Sequence, residues 1–279
     1  MNKMVVSLSP FEKAKQIFDY SIQLAQCLNL DVEFINHIDT RKKDWFLQYS
    51  DILPGNLSLD EIEKKIIQDR ERSITRFIEA FRILEHTVSV TYSVKKGTMK
   101  GVFRKASQGK DVELAIIPCD QDFGEMPFKE AWRTIEALEC PVWRLPVLSE
   151  FTPVKTIVYA TDYEEEDIEA LRKVAELAKK FSAAIIVVHV RRKKEYEEGL
   201  KDKGLESVIH DKVAFARIEV QSMENSHVVQ GINEFCGRVY ADLIVFLRKD
   251  RGIFQGLVRN RTIEKVLKTN KLPVFVYSR

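Results

Sequence analysis

The chain is poor in the residue patterns that announce catalysis, metal binding or export. Its 279 residues hold four cysteines, Cys27, Cys119, Cys140 and Cys236, with no Cys-x-x-Cys pair among them. That is too few for a disulfide framework in a chain of this size, and they read as reduced core thiols of a cytoplasmic protein. There is no Walker loop, no Gly-x-Ser-x-Gly and no cysteine in a recognisable nucleophile motif, so no catalytic residue is assigned and a non-enzyme is expected. No His/Cys/Asp/Glu cluster has metal-ligand spacing; His37 and His189 read as satisfied, partly buried side chains, and no metal is expected. Only Met4-Val-Val6 precedes polar residues at the start, short of a signal-peptide apolar region of ~7–15 residues. No run approaches the ~18 apolar residues that span a bilayer. Neither export nor a membrane is expected. One-sign charge is missing too: Lys plus Arg number 44 against 42 Asp plus Glu, for a net charge of +2. The two signs are interspersed, so nothing demands nucleic acid, and Arg191-Arg-Lys-Lys194 reads as a solvated connection.

What is present is a regular alternation of strand and helix patterns on a chain that is 45% hydrophobic. Met4 to Leu8 reads as a strand, and Ala14, Ile17, Phe18, Ser21, Leu24, Ala25 and Leu28 form one helical stripe. Val32 to Ile35 returns as a strand. After the turn cluster Leu53-Pro-Gly-Asn56, a long amphipathic helix runs from Ser58 to Phe81. Val88–Val94, Met99–Ala106, Leu114–Ile117, Phe128–Leu138 and Val142–Leu145 continue as strand, helix, strand, helix, strand. The pattern then begins again beyond Pro146 to Pro153. Lys155 to Asp162 answers Asn2 to Ser9 at an offset of 153, which also places Val188 on Ile35. Strands are expected at Ala184–Val188, Val213–Val220, Leu243–Leu247 and Val274–Tyr277, with helices carried by Ile168–Phe181, Val228–Phe235 and Thr262–Leu267. The fully apolar runs fit strands buried on both faces of a parallel sheet. The expectation is two tandem five-stranded, mostly parallel α/β domains, residues 1–148 and 149–279, each of ordinary domain size. The loop from Arg248 to Arg261 leaves a strand's carboxyl end and enters a helix, which is where open α/β sheets place ligands.

Val158-Tyr-Ala-Thr-Asp162 before an acidic helix start, Ile186-Val-Val-His-Val190, Ala241-Asp-Leu-Ile-Val245 and Thr262-Ile-Glu-Lys-Val-Leu267 with Pro273-Val-Phe-Val276 resemble the universal stress protein family. The first half resembles it more weakly, through Val94-Lys-Lys-Gly97, Leu114-Ala-Ile-Ile117 and Cys140-Pro-Val-Trp143. Together the halves look like a tandem universal stress protein. The resemblance implies an open, Rossmann-like sheet of the adenine nucleotide alpha hydrolase type, strand order 3-2-1-4-5, with helices on both faces. It implies that the last strands, Val142–Leu145 and Val274–Tyr277, pair within the chain as a pseudo-dimer, and leaves a further homodimer and unknown protein partners open.

In ATP-binding members an aspartate after the first strand and a backbone site after the second hold adenosine, and Asp162 and Val190 match those positions. A Gly-x-x-Gly, nine residues, Gly-Ser/Thr loop then cradles the phosphates. Here Leu247, Asp250, Asn260 and Arg261 stand in its place. A side chain forced into the left-handed conformation costs about 1–2 kcal/mol, so three lost glycines weaken that cradle by ~3 kcal/mol or more, about a hundredfold. The ordinary ATP site is therefore expected to be broken, and no cofactor is assigned. The rival reading is an ATP, AMP or small-anion site, with slow ATP hydrolysis as its extreme, in which the arginines of a basic set, Arg248, Lys249, Arg251, Arg259 and Arg261, replace the glycine nest by charge-assisted bonds. Asp162 carries two readings as well, a nucleoside contact or one member of the acidic helix start Asp162-Tyr-Glu-Glu-Glu-Asp167. In the first half Ser9 stands at the position of Asp162, and the loop from Pro118 to Glu125 is short and acidic, so no nucleotide is expected there.

Overall fold

The computed structural model describes residues 2–39, 58–81, 87–120, 128–191, 196–248 and 254–278. The turn cluster at 53–56 and the acidic loop at 121–127 lie outside them. Ten strands form one sheet: β1 Lys3–Ser7, β2 Asp31–Ile38, β3 Val90–Lys96, β4 Val112–Pro118, β5 Val142–Leu145, β6 Thr156–Ala160, β7 Ala184–Arg191, β8 Ile218–Glu224, β9 Leu243–Arg248 and β10 Val274–Ser278. The helices are α1 Ala14–Leu28, α2 Leu59–Phe81, α3 Met99–Ser107, α4 Phe128–Ile135, α5 Glu166–Phe181, α6 Tyr196–Lys212, α7 Val228–Arg238 and α8 Phe254–Thr269.

The sheet order is β3-β2-β1-β4-β5-β10-β9-β6-β7-β8. Each half thus has the order 3-2-1-4-5 with parallel neighbours. The two five-stranded sheets expected for the halves are one ten-stranded sheet: the last strands, whose pairing the resemblance implied, β5 and β10, run antiparallel, Arg144 opposite Val274 and Val142 opposite Val276. Each of these strands would otherwise be an open edge with unpaired backbone groups, and the pairing satisfies both at once. The repeat is carried in register as well as in sequence. Met4 pairs with Val32 and Ile157 with Ile185, and α1 and α5 both end on a left-handed residue, Asn29 and Ser182, that closes the helix through its backbone N–H.

Hydrophobic layers cover both faces. One holds Phe18, Phe34, Ile74, Trp143, Tyr159, Leu171 and Ile209; the other holds Phe103, Ile117, Trp132, Val188, Phe235 and Ile263. Each layer takes residues from both halves. At the seam Trp143 is fully buried, donates its indole N–H to the Tyr20 hydroxyl (3.2 Å) and meets Phe275 edge-on at 6.1 Å. Two arginines cross the seam in opposite directions. Arg144, 1% exposed, donates to the carbonyls of Asn270 (3.0 Å) and Leu272 (3.2 Å) beyond α8, and to the Asp120 carboxylate (2.9 Å). Arg248 donates to the carbonyls of Ile135 and Leu138 at the end of α4. Each half therefore supplies a cation to the carbonyl end of the other half's last helix, where the helix dipole favours positive charge.

Several element boundaries differ from the sequence pattern, and the largest difference is at α8: it begins at Phe254, so most of the segment from Arg248 to Arg261 expected as a loop is helix. Among the described side chains of helix α6, Leu205, Val208 and Ile209 share one face over a single turn while Leu200 is exposed, so the apolar stripe is short and its periodicity weak. The strand expected at 213–220 begins only at Ile218, because buried Val213 belongs to the connection that follows α6.

Arg144→Ala is expected to lower the unfolding free energy by about 3 kcal/mol in urea titration, since it leaves Asp120 and two carbonyls without their cation. Exposed Lys179→Ala, which removes an i,i+3 pair with Glu176, should change it by less than about 0.5 kcal/mol. Burial raises the thiol pKa of Cys140 to about 11 and of Cys236 to about 12 and pushes Cys119 and Cys27 up as well, but of the four only Cys27 is exposed to a reagent. Thiolate is the reactive form, so at pH 8 a disulfide reagent should titrate one fast thiol per native chain and four after denaturation.

Candidate functional site

The site forms at the carboxyl ends of β6, β7 and β9. Leaving β6, the chain is held by Asp167, whose side chain is fully buried. Its carboxylate accepts from the Tyr159 hydroxyl (2.7 Å), the Thr161 hydroxyl (2.6 Å) and the Glu164 backbone N–H (3.2 Å). Thr161 Oγ1 in turn accepts the Tyr163 N–H (3.0 Å). These bonds hold Tyr163 at φ 60°, a left-handed conformation that costs a non-glycine residue on the order of 1 kcal/mol. Tyr163 then lies over the His189 ring at 4.1 Å and donates its hydroxyl to Asp202 of α6, which also accepts from Ser222 of β8. His189 Nδ1 donates to the Thr161 carbonyl (3.0 Å). The turn after β6 is thereby tied to β7, β8 and α6.

Beside that turn lies a pocket of about 370 Å³, lined by Ala160, Thr161, Asp162, Glu164, Val188, Val190, Val228, Ile232, Phe246 and Thr262. Its volume lies within the small-molecule range. Its walls are aliphatic and aromatic and its polar groups are two carboxylates and two hydroxyls. The α7 wall stands close to β7 because residue 231 is glycine: a Cβ there would sit 2.6 Å from Val190 Cγ1.

The structure distributes the sequence-derived residues unevenly. Asp162 and Val190 both line the pocket, Asp162 exposed and Val190 buried. Arg248 is buried, with both terminal nitrogens on the carbonyls of Ile135 and Leu138, so its guanidinium serves the seam between the halves. Asn260 is buried and Arg261 exposed at the start of the described part of α8, and neither is among the pocket's lining residues. Lys249, Asp250, Arg251 and the Arg259 side chain lie outside the described residues. The sequence reading missed Glu164, Asp167, Phe246 and Thr262. Asp167 and Glu164 were visible only as part of an acidic helix start, and an apolar i+4 pattern on α7 was the one signal for Ile232.

In the first half Ser9 Oγ contacts His37 Nδ1 at 3.3 Å, and both oxygens of Asp120 are engaged, by Arg144 and by the Val147 N–H (2.8 Å). Among the described residues no group of three or more His, Cys, Asp or Glu could hold a metal ion, and no helix is long and apolar enough to cross a membrane.

Residues 153–278 match the family model described as the Universal stress protein family. The second half of the chain is a universal stress protein domain. Asp162, Val190 and the pocket between them belong to that domain. A search of curated protein sequences gave no match. Whole-chain similarity appears among solved structures. A universal stress protein from Archaeoglobus fulgidus DSM 4304 superposes with a TM-score of 0.72 at 15% identity, over 100% of this chain and 98% of that one. A candidate universal stress protein from Pseudomonas aeruginosa UCBPP-PA14 gives 0.62 at 14% identity, over 100% and 93%. At these identities the likeness is one of fold. A universal stress protein from Archaeoglobus fulgidus in complex with dAMP matches 46% of this chain and 98% of its own, at 23% identity and a TM-score of 0.34.

Asp167→Ala removes the acceptor of three donors. Its expected cost is about 3 kcal/mol of stability in urea unfolding, with loss of the near-ultraviolet circular dichroism contributed by Tyr159 and Tyr163.

Proposed function

We propose that this chain is a non-enzymatic, cytoplasmic regulatory module of the universal stress type, built of units 1–148 and 149–279, that acts through binding. Its second unit takes a small ligand of nucleoside size, and ordinary Mg-ATP binding has been lost. The observation that carries this reading is the pocket at Asp162 and Val190, formed by apolar walls with carboxylate and hydroxyl groups and without a cation among its described lining residues.

Two further features support the loss of ATP binding. Side chains stand where a phosphate cradle needs glycine, at Leu247, Asp250 and Asn260, and Arg248, the buried cation nearest that loop, is committed to helix carbonyls. The first unit supports the same division of labour, because Asp120 at the end of its β4 is fixed by Arg144 and Val147. That unit is proposed as the part that meets protein partners.

Calorimetric titration of Mg-ATP into full-length protein stripped of co-purified ligand tests the reading. No saturable heat is expected below about 1 mM. Micromolar binding that disappears in Asp162→Ala would establish the rival reading, a nucleotide-binding protein.

A further inference from the structure

A separate cleft of about 370 Å³ lies where the connection from β5 to β6 crosses helix α1. Gln16, Asp19 and Gln23 form its wall on α1, and Ser149, Glu150 and Phe151 form its wall on the connection. The first wall follows from spacing, since residues 16, 19 and 23 stand three and four apart and a helix brings them to one face. Phe151 fixes the second wall. Its ring meets Tyr20 edge-on at 5.4 Å, and Tyr20, 3% exposed, accepts the Trp143 indole N–H at the seam. The cleft therefore joins the first half's helix to the segment that leads into the second half, and its volume lies within the small-molecule range.

The lining matches its own charges. Lys15, the cation among its lining residues, donates to the Asp19 carboxylate at 2.6 Å. A phosphate thus meets a lysine already engaged by a carboxylate. A flat apolar ligand meets one half-buried ring, because Tyr20 is covered. The remaining groups are the Gln16 and Gln23 amides, the Ser149 hydroxyl and the Glu150 carboxylate. Gln23 is fixed by an amide N–H bond to the Asp19 carbonyl (3.2 Å).

We infer that this cleft binds a small neutral sugar, which bridges α1 and the β5–β6 connection. An amide or carboxylate presents two polar atoms side by side, and neighbouring sugar hydroxyls each both donate and accept, so one such side chain can engage two of them. An aromatic ring takes the sugar's C–H groups by apolar and weak C–H contact. Each hydroxyl contact replaces one to water, so the net affinity is modest, with a dissociation constant of about 1 mM.

Calorimetry on ligand-stripped full-length protein tests the inference, with D-glucose and maltose as probes, each up to about 20 mM. At least one sugar is expected to bind saturably at about 1 mM. Exposed Gln16→Ala and half-buried Phe151→Ala should each weaken that binding at least about fivefold, with circular dichroism to check the fold. Exposed Lys173→Ala on α5 should leave it unchanged. Lack of saturable binding by both sugars would overturn the inference. So would binding that keeps full strength in both cleft variants, since the sugar would then sit elsewhere. Either result leaves the Asp162 pocket reading intact, because the Mg-ATP titration reports on a different cavity.

Discussion

The antiparallel pairing of β5 with β10 is the constraint on which the rest of the structure depends. It turns two exposed sheet edges into the middle of a ten-stranded sheet and lets the hydrophobic layers on both faces run across the join. Because strands within a half are parallel and the halves meet antiparallel, the carboxyl ends of the two sets of strands point to opposite ends of the sheet. The two ligand crevices that such sheets create are thus kept apart. Arg144 and Arg248 follow from the same geometry. The end of the sheet that carries one half's strand termini also carries the carbonyl ends of the other half's helices, and a buried cation at that place finds ready acceptors.

The frame is repeated, yet the two crevices are chemically different. In the first half, serine and histidine stand at the ends of β1 and β2, and Asp120 is consumed by the seam. In the second, a buried aspartate shapes the turn after β6 and leaves Asp162 and Glu164 lining a cavity. Asp167 is thus the residue that converts a strand terminus into a pocket wall, acting through the lining residues Thr161 and Glu164 from behind them. The strain at Tyr163 belongs to the same arrangement, since the bonds of Thr161 and Asp167 on one side and the contacts with His189 and Asp202 on the other hold it there.

Much of this was legible in the sequence where periodicity or repetition carries the information. The run Leu243 to Leu247 is buried on both faces, as an apolar run in a central parallel strand must be. The offset of 153 reappears as equal register in β1–β2 and β6–β7 because paired strands joined by a helix of fixed length leave no room for a slip. Helix α6 offers little to read, for its apolar stripe is a single turn, and the edge strand that follows it, β8, begins at Ile218 rather than at 213 because Val213 is buried in the connection and not in the sheet. Asp162 and Val190 were placed together by motif alone, and the fold brings both to one cavity.

The sequence by itself determined the alternation of elements, the duplication and the positions that end each strand, because these are written in local spacing of apolar residues. Only the tertiary structure decided what the charged residues do. Arg248 ends one central strand and Asp162 follows another, and no local spacing tells which of the two faces a ligand. One is turned into the seam, where helix carbonyls compensate a buried guanidinium, and the other lines the pocket. Burial and partners across more than a hundred residues of sequence set the role of a charge, and no window of neighbouring residues contains them.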